Sequence, residues 1–203
     1  MLKSRTAREP KVRRAGIVSV GRYVPDDVLT NFQIEEFVDT SDEWIMERTG
    51  IRERHFVSNG QRQSDLALNA SREALARVGW KPQDLDLIIV ATVTPDHIFP
   101  CSANTLAGKL GAVGVPSYDV LAACSGFLYA LFQGSTAIES GRANRVLVVG
   151  SEVMSSLINW SDRGTCVLFG DAAGAVLLEA VEGGDGLIDF TIGSDGRHHE
   201  LLH

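Results

Sequence analysis

The sequence predicts an α/β protein in which apolar strands alternate with helices. Residues 85–93, 118–121 and 145–149 form near-continuous runs of Ile, Val and Leu, which are typical of strands buried on both faces. Segments with a helical pattern, residues 103–110 and 125–140, lie between these runs and are bounded by Gly. With 203 residues, 44% of them hydrophobic and 22% charged, the chain is long enough to bury its own core.

The chain opens with a basic segment and a short strand. Residues 1–14 are rich in Lys and Arg, contain a single acid and lack apolar periodicity. We expect them to form a flexible basic tail, with a cleavable targeting peptide and an interaction arm as the alternatives. A β-branched run at residues 17–20, closed by Gly21, predicts the first strand.

Three helices are predicted next. Thr30 followed by Gln33 has the spacing of a capping box and begins a short helix. Ser41 begins a second short helix that ends at Gly50. Residues 64–78 place Leu, Ala and Val on one face and form a longer helix.

The last elements complete the predicted fold class. Residues 172–180 and 186–192 are predicted to form two further strands, which end the chain in a hairpin. No internal repeat or low-complexity linker interrupts the sequence. Residues 15–203 are therefore predicted to form one α/β domain.

Composition and charge argue against several functional classes. The formal net charge of -7 argues against general nucleic-acid binding, which needs a surplus of Lys and Arg. No stretch reaches the roughly 18 consecutive apolar residues of a membrane helix, so no membrane association is expected. The three cysteines lack paired metal-ligand spacing and are interpreted as free thiols in the cytoplasm, with no metal site.

Cys124 is the strongest candidate for a nucleophile. It follows a predicted buried strand and begins a predicted helix, where the helix dipole and free N–H groups stabilise a thiolate. The same N–H groups can face the oxyanion of an acyl group on the sulfur, and Gly126 would let the chain turn there. The alternative is a small buried apolar residue. Cys101 and Cys166 lack this setting and are interpreted as structural.

Several motifs around Cys124 occur together and in one order along the chain. The segment AACSGF (residues 122–127) is accompanied by DTSDEWI (39–45), RTGIR (48–52), IVAT (89–92), FP (99–100), DRGT (162–165) and FGD (169–171). With this set the chain resembles the β-ketoacyl-[acyl-carrier-protein] synthase III family, and the resemblance covers everything after the basic tail.

The resemblance implies a fold and a reaction. The fold is thiolase-like, a mixed β-sheet covered by helices that forms one half of a five-layered αβαβα architecture. In the reaction, an acyl-coenzyme A loads Cys124, and malonyl-acyl-carrier-protein then decarboxylates and attacks the acyl-enzyme to give a β-ketoacyl-acyl-carrier-protein. Acyl-coenzyme A is a substrate, so no cofactor is implied, and the family is homodimeric.

The resemblance also implies roles for five further residues. Trp44 and Arg163 would sandwich the adenine ring of coenzyme A, because an indole and a guanidinium are both flat. Thr40 would contact the base, and Arg48 would lie beside the phosphates. Phe99 would face the acyl pocket from across the dimer interface. For any of these residues taken singly, an ordinary packing or surface role is the alternative.

Part of the implied site is not found in the sequence. The family supplies a catalytic His and Asn from motifs in its C-terminal half, and none of the five histidines has the required neighbours. We therefore expect the C-terminal thiolase-like half to be absent and the chain alone to be unable to condense. The alternatives are a sister condensing enzyme of secondary metabolism, with another starter, and a non-catalytic truncated fragment or partner subunit.

Overall fold

The computed structural model describes residues 13–58, 60–182 and 185–201. Its helices are α1 (Asn31–Glu35), α2 (Asp42–Thr49), α3 (Gln63–Val78), α4 (Ser102–Leu110), α5 (Gly126–Glu139) and α6 (Arg163–Cys166). Its strands are β1 (Arg13–Tyr23), β2 (Asp27–Thr30), β3 (Glu53–Phe56), β4 (Leu87–Ala91), β5 (Ser117–Val120), β6 (Arg145–Val153) and β7 (Asp171–Glu182). Short 3₁₀ turns lie at Pro82–Asp84, Ala123–Ser125, Met154–Ser156 and Gly196–Leu201.

The main sheet is mixed, as predicted. Its described strands follow the order β1-β7-β6-β4-β5. Strand β4 runs parallel to β5 and β6, whereas β7 is antiparallel to both β6 and β1. The three parallel strands therefore place their carboxyl ends at one edge of the sheet, where α/β proteins commonly bind ligands.

Helices cover both faces of this sheet. In β4, Ile88 and Val90 pack into the apolar cluster beneath α3 and α4. Ile89 and Ala91 point the other way and join the cluster beneath α5. All four side chains are buried, because successive residues of a strand face opposite sides and both sides are covered here. The prediction of strands buried on both faces is confirmed for β4 and for residues 146–149 of β6. It is wrong for β5, where Tyr118 is 37% exposed and none of the four residues is buried, because β5 is an edge strand of the described sheet.

A smaller unit lies beside the main sheet. Strands β2 and β3 pair antiparallel, and α1 and α2 pack around a small core that contains Ile34, Ile45 and Cys166. The predicted capping box at Thr30 is present, and Ser41 accepts a hydrogen bond from the Trp44 amide at 3.1 Å. These caps begin the two helices where the sequence predicts.

The basic tail is shorter than predicted. Arg13 and Arg14, assigned to it from their charge, instead begin β1 and pair with Glu182 and Val181 of β7. The Arg13 guanidinium donates to the carbonyl oxygen of Ile138 at 2.6 Å, near the end of α5, where helix carbonyls lack partners inside the helix. Residues 1–12, which hold the rest of the predicted tail, lie outside the described residues.

The predicted final hairpin is wrong. Strand β7 already pairs with β1 on one side and β6 on the other, so it has no free edge for a following strand. Residues 186–192 instead run irregularly along the outer edge of β1, where the Leu187 amide donates to the Ala15 carbonyl oxygen at 2.8 Å. Phe190 then packs edge-on against Phe132 of α5, with ring centroids 5.6 Å apart.

Candidate active site

Cys124 lies where the three parallel strands end. Ala91 at the end of β4 pairs in register with Val120 of β5 on one side and with Gly150 of β6 on the other. The chain leaves β5 at Val120 and enters the 3₁₀ turn Ala123–Ser125, which leads into α5. The Cys124 side chain is exposed there. The predicted position between a strand and a helix is confirmed.

The turn before Cys124 differs from the prediction. Ala123 has a φ of 44°, a left-handed conformation that a residue with a Cβ atom rarely adopts, whereas Gly126 has a helical φ of -54°. The turn is therefore made at Ala123. Gly126 is not required for the turn, and a Cβ atom at this position would make an ordinary contact with the Ala91 Cβ atom at 3.4 Å. Strained backbone of this kind is common at active sites.

The backbone amides just after Cys124 are already paired. The Ser125 amide donates to the Ala122 carbonyl oxygen at 3.1 Å, and the Gly126 amide donates to the Ala123 carbonyl oxygen. These two N–H groups are therefore not available to an oxyanion, contrary to the expectation that the first turn of the helix supplies them. Instead, their hydrogen bonds stabilise the 3₁₀ turn on which the Cys124 side chain is exposed.

Cys124 opens onto a shallow cavity of about 380 Å³. Most of its lining is apolar or backbone, from the ends of β4 and β6, the beginning of α5 and the start of β7. In the part of the chain that the structure describes, no His or Asn side chain lines this cavity. The cavity consists of Ala91, Ala123, Cys124, Phe127, Gly150, Ser151, Glu152, Met154, Gly170, Ala172, Ala173 and Gly174.

Glu152 is the ionisable lining residue that the sequence analysis missed. Its carboxylate accepts hydrogen bonds from the Val93 amide at 2.8 Å, from the Thr94 amide at 3.1 Å and from the Thr92 hydroxyl at 3.1 Å. These bonds hold the chain that leaves β4 beside the cavity. The signal in the sequence was an acidic residue at the end of an apolar strand. Its hydrogen-bond partners lie about sixty residues earlier in the chain, so only the folded structure shows them.

The predicted adenine-binding pair is brought together. Trp44 lies in α2 and Arg163 begins α6, and the Arg163 guanidinium carbon lies 4.6 Å from the centroid of the Trp44 ring. The Arg163 Nη1 atom also donates to the Asp39 carbonyl oxygen at 2.9 Å. A base needs about 3.5–4 Å on each face, so the two groups now stack directly on each other and leave no slot.

Thr40 and Arg48 lie close to this pair in different ways. The Thr40 Oγ1 atom is buried and has no hydrogen-bond partner among the described groups, so it can accept or donate a new bond. The Arg48 guanidinium also stacks on Trp44, at 4.4 Å from the ring centroid, and half of its side chain is exposed. Glu47 is its ion-pair partner at 3.6 Å.

Phe99 lies outside the Cys124 cavity of its own chain. It is 88% exposed in the loop between β4 and α4. The loop is anchored to β5, because the Asp119 carboxylate accepts hydrogen bonds from the Ser102 and Ala103 amides at 2.7 Å. A role for Phe99 in a partner subunit stays a prediction.

The other cysteines and the histidines are not at the candidate site. Cys166 is buried, and its burial, followed by the nearby Asp162 carboxylate, raises the pKa of its thiol. Cys101 packs against the main core. The described histidines, His55, His97, His198 and His199, do not line the cavity, and His203 lies outside the described residues. Among the described residues no cluster suited to a metal ion occurs, and no helix is both long and apolar enough to cross a membrane.

The fold and the site define a class of protein. A mixed sheet between helical layers, with an exposed cysteine where the parallel strands end, is a thiolase-like fold of the condensing-enzyme type. Comparison with known proteins narrows the class. The family described as 3-oxoacyl-[acyl-carrier-protein (ACP)] synthase III matches residues 118–196.

Individual relatives cover more of the chain. The β-ketoacyl-[acyl-carrier-protein] synthase III of Caldanaerobacter subterraneus is 49% identical over 93% of this chain and 57% of its own length. The enzyme structure from Thermus thermophilus is 43% identical, with a TM-score of 0.88 over 93% of this chain and 58% of that one. The Aquifex aeolicus structure is 48% identical, with a TM-score of 0.79 over 81% and 53%.

The chain belongs to the β-ketoacyl-[acyl-carrier-protein] synthase III family. It spans a little over half the length of the relatives that it matches.

Proposed function

We propose that Cys124 accepts the acyl group of an acyl-coenzyme A in the condensation that initiates fatty acid biosynthesis. The observation that carries this proposal is the exposed Cys124 thiol on a strained turn, facing an apolar cavity at the carboxyl ends of the parallel strands. The similarity to β-ketoacyl-[acyl-carrier-protein] synthase III enzymes favours this reaction over a sister condensing enzyme or an inert fragment.

The first step is thioester exchange. The Cys124 thiolate attacks the thioester carbonyl carbon, and a bond forms between this carbon and the sulfur. The tetrahedral intermediate collapses, the bond to the sulfur of coenzyme A breaks, and the released thiolate takes the proton that Cys124 gave up. The apolar lining of the cavity suits a short acyl chain.

Coenzyme A would be held at the stacked pair, Trp44 and Arg163. Adenine enters between them after the Arg163 side chain moves away from the indole ring. The unpaired Thr40 hydroxyl then has a polar partner in the base, which relieves a buried atom that lacks one. The exposed Arg48 side chain can turn its fork towards the phosphates.

The second step uses malonyl-acyl-carrier-protein. Loss of carbon dioxide leaves a carbanion that attacks the acyl carbon on Cys124, which breaks the bond to the sulfur and releases the β-ketoacyl product. The enolate formed on the way needs hydrogen-bond donors. Among the described lining residues no His or Asn side chain can supply them. We therefore propose that the 203-residue chain alone performs the first step and not the second.

Intact-mass spectrometry tests the acyl transfer. Incubation of the chain with acetyl-coenzyme A should add one acetyl group, and peptide mapping should place it on Cys124. Cys124→Ser should abolish the stable adduct, whereas Cys101→Ser, a matched change at a partly buried thiol, should retain it. An adduct that persists in Cys124→Ser contradicts the assignment of the nucleophile.

A second measurement on the same samples tests whether the chain alone can carry out the condensation step. After addition of malonyl-acyl-carrier-protein, acetyl-Cys124 should persist and no acetoacetyl product should form. Acetoacetyl-acyl-carrier-protein made by the purified chain in the absence of any other polypeptide contradicts the second part of the proposal.

The remaining expectations follow from the same reaction. The substrates carry the chemistry, so we propose that no further cofactor takes part and that the enzyme is cytoplasmic. We also propose a homodimer, supported by the exposed Phe99 loop and by β5, which pairs only with β4 in the described sheet.

A further inference from the structure

Arg54 is a buried arginine that the proposed reaction does not use. It lies in β3 and is only 3% exposed. Its hydrogen-bond acceptors are neutral: the Val167 carbonyl oxygen and the Asn31 Oδ1 atom. Burial lowers the pKa of Arg54, although the nearby Cys166 opposes this effect. No carboxylate among the described residues is shown to pair with Arg54, and a buried charge without an anionic partner is costly.

One arm of Arg54 reaches the helix that carries Arg163. Both Nε, at 3.1 Å, and Nη2 donate to the Val167 carbonyl oxygen. Val167 is the C-terminal cap of α6, where carbonyl groups have no partner inside the helix. A charged donor forms a strong hydrogen bond in such a buried place. Arg54 therefore fixes the end of a helix whose first residue is Arg163.

The other arm reaches the helix that carries Trp44. Nη1 donates to the side chain of Asn31, which is itself fully buried. The side-chain Nδ2 atom of Asn31 donates to the Asp42 carboxylate at 2.7 Å and to the Ile51 carbonyl oxygen at 2.8 Å. Asp42 begins α2, and Ile51 comes directly after Gly50, the cap at the end of α2. Asn31 thus holds both ends of the helix that carries Trp44.

The hydrogen bonds of the Arg54 guanidinium therefore connect the two helices that carry Trp44 and Arg163. Trp44 depends on Arg54 through Asn31 and α2, and Arg163 depends on it through Val167 and α6. Both helices also pack on the same small core, which contains Ile45, Cys166 and Val167. A planar base between two flat groups tolerates little error in their separation, because dispersion contacts weaken within about 1 Å.

We propose that Arg54 is a positioning residue for coenzyme A, and that its bridge between Asn31 and Val167 sets the distance between helices α2 and α6, from which the Trp44 and Arg163 side chains reach the base. The inference rests on the proposed function. Lys cannot replace Arg54 in this role, because its single ammonium group lacks the planar fork that spans two acceptors.

The test compares Arg54→Lys with Arg145→Lys in the full chain. Arg145 is the control: it stacks on Trp80 at 4.3 Å and pairs with Glu179, but it begins β6 of the main sheet, whereas Arg54 lies in the separate two-stranded sheet. Calorimetric titration with coenzyme A should show about tenfold weaker binding for Arg54→Lys and a change of less than about twofold for Arg145→Lys.

A second readout separates positioning from general damage to the fold. The rate of Cys124 acetylation by S-acetyl-N-acetylcysteamine, a thioester without a nucleotide, should be unchanged in Arg54→Lys, whereas the rate with acetyl-coenzyme A at low concentration should fall. Asn31→Ala, which cuts only the arm to α2, should show the same split if Arg54→Lys does not fold.

Each outcome decides the proposal. Coenzyme A affinity at the wild-type level in Arg54→Lys, or an equal loss of rate with both thioesters, overturns the positioning role while the proposed function stands. Failure of the wild-type chain to bind coenzyme A sinks the proposed function, and the positioning role with it. A loss of rate with acetyl-coenzyme A but not with S-acetyl-N-acetylcysteamine supports both the positioning role and the proposed function.

Discussion

At the scale of single residues, stacked side chains fill the proposed nucleotide slot. Arg163 and Arg48 both stack on Trp44, with their guanidinium carbons 4.6 and 4.4 Å from the ring centroid. A cation over an indole ring is stabilised by about 0.5–1 kcal/mol at an exposed site. This energy is small beside that of base stacking, so a nucleotide can displace Arg163 without a large penalty.

The Trp44 side chain is expected to dominate coenzyme A affinity. Trp44→Ala should weaken binding of coenzyme A roughly tenfold or more, because stacking of a base on an aromatic side chain is worth about 1–3 kcal/mol. Trp80→Ala removes another Arg–Trp stack, with Arg145, and should leave the affinity unchanged. Titration calorimetry measures both. Equal affinities in the two variants would show that adenine does not stack on Trp44.

At the scale of elements, α3 lies unusually close to β1. A Cβ atom at Gly21 would lie 2.1 Å from the Ala70 carbonyl oxygen and 2.6 Å from the Ala74 amide nitrogen, which are backbone atoms of the helix. Ser19 confirms the close approach, because its hydroxyl donates to the Ala74 carbonyl oxygen at 2.7 Å. Glycine is therefore required where the helix crosses the strand.

Replacement of Gly21 tests this crossing. Gly21→Ala should lower the free energy of unfolding by about 2–3 kcal/mol, since the helix backbone must shift to make room. Gly174→Ala is the matched strand control, because a Cβ atom there meets nothing within 4 Å and the change should stay within about 0.5 kcal/mol. Denaturant unfolding of both variants gives the comparison, and similar losses would mean that the helix does not approach β1 as described.

At the scale of the whole molecule, several apolar side chains remain exposed, and two groups of them bear on assembly. Leu121, which is 77% exposed, and Leu128 lie around the start of α5, and Val20 lies on β1. The resemblance predicts a second thiolase-like half that packs against the first, and this stays a prediction. The other group is in the Phe99 loop beside the edge strand β5.

The Phe99 loop is expected to form part of a dimer interface. Phe99→Ser should raise the dimer dissociation constant roughly tenfold or more, as for a buried aromatic residue at an interface. Phe32→Ser removes a Phe that is 67% exposed on α1 and should have no effect on it. Sedimentation velocity at several concentrations measures the constant. A wild-type chain that stays monomeric throughout would contradict the homodimer.

Much of the fold was predictable because its signals are local. The apolar run at β4, the caps at Thr30 and Ser41, and the cysteine between β5 and α5 all depend on neighbours within a few residues. The family motifs added Trp44 and Arg163, which the structure then brought into contact. The roles of the predicted site residues stay predictions until they are tested by substitution.

Apart from the turn at Ala123, the errors and omissions concern groups distant in sequence. Whether residues 186–192 form a strand depended on the edges of β7, which β1 and β6 had already filled. Arg13 and Arg14 appeared to be a solvated tail because their partners near the end of α5 and in β7 lie more than a hundred residues away.

By itself, the sequence determined the class of fold, the order of most elements and the candidate nucleophile. Only the tertiary structure decided that Ala123 makes the turn, that Glu152 holds the chain leaving β4, and that Arg54 joins α2 to α6. The physical reason is that helix caps and apolar periodicity act over one or two turns of chain. Strain, buried charges and shared hydrogen-bond acceptors are set by groups that meet only when the chain folds.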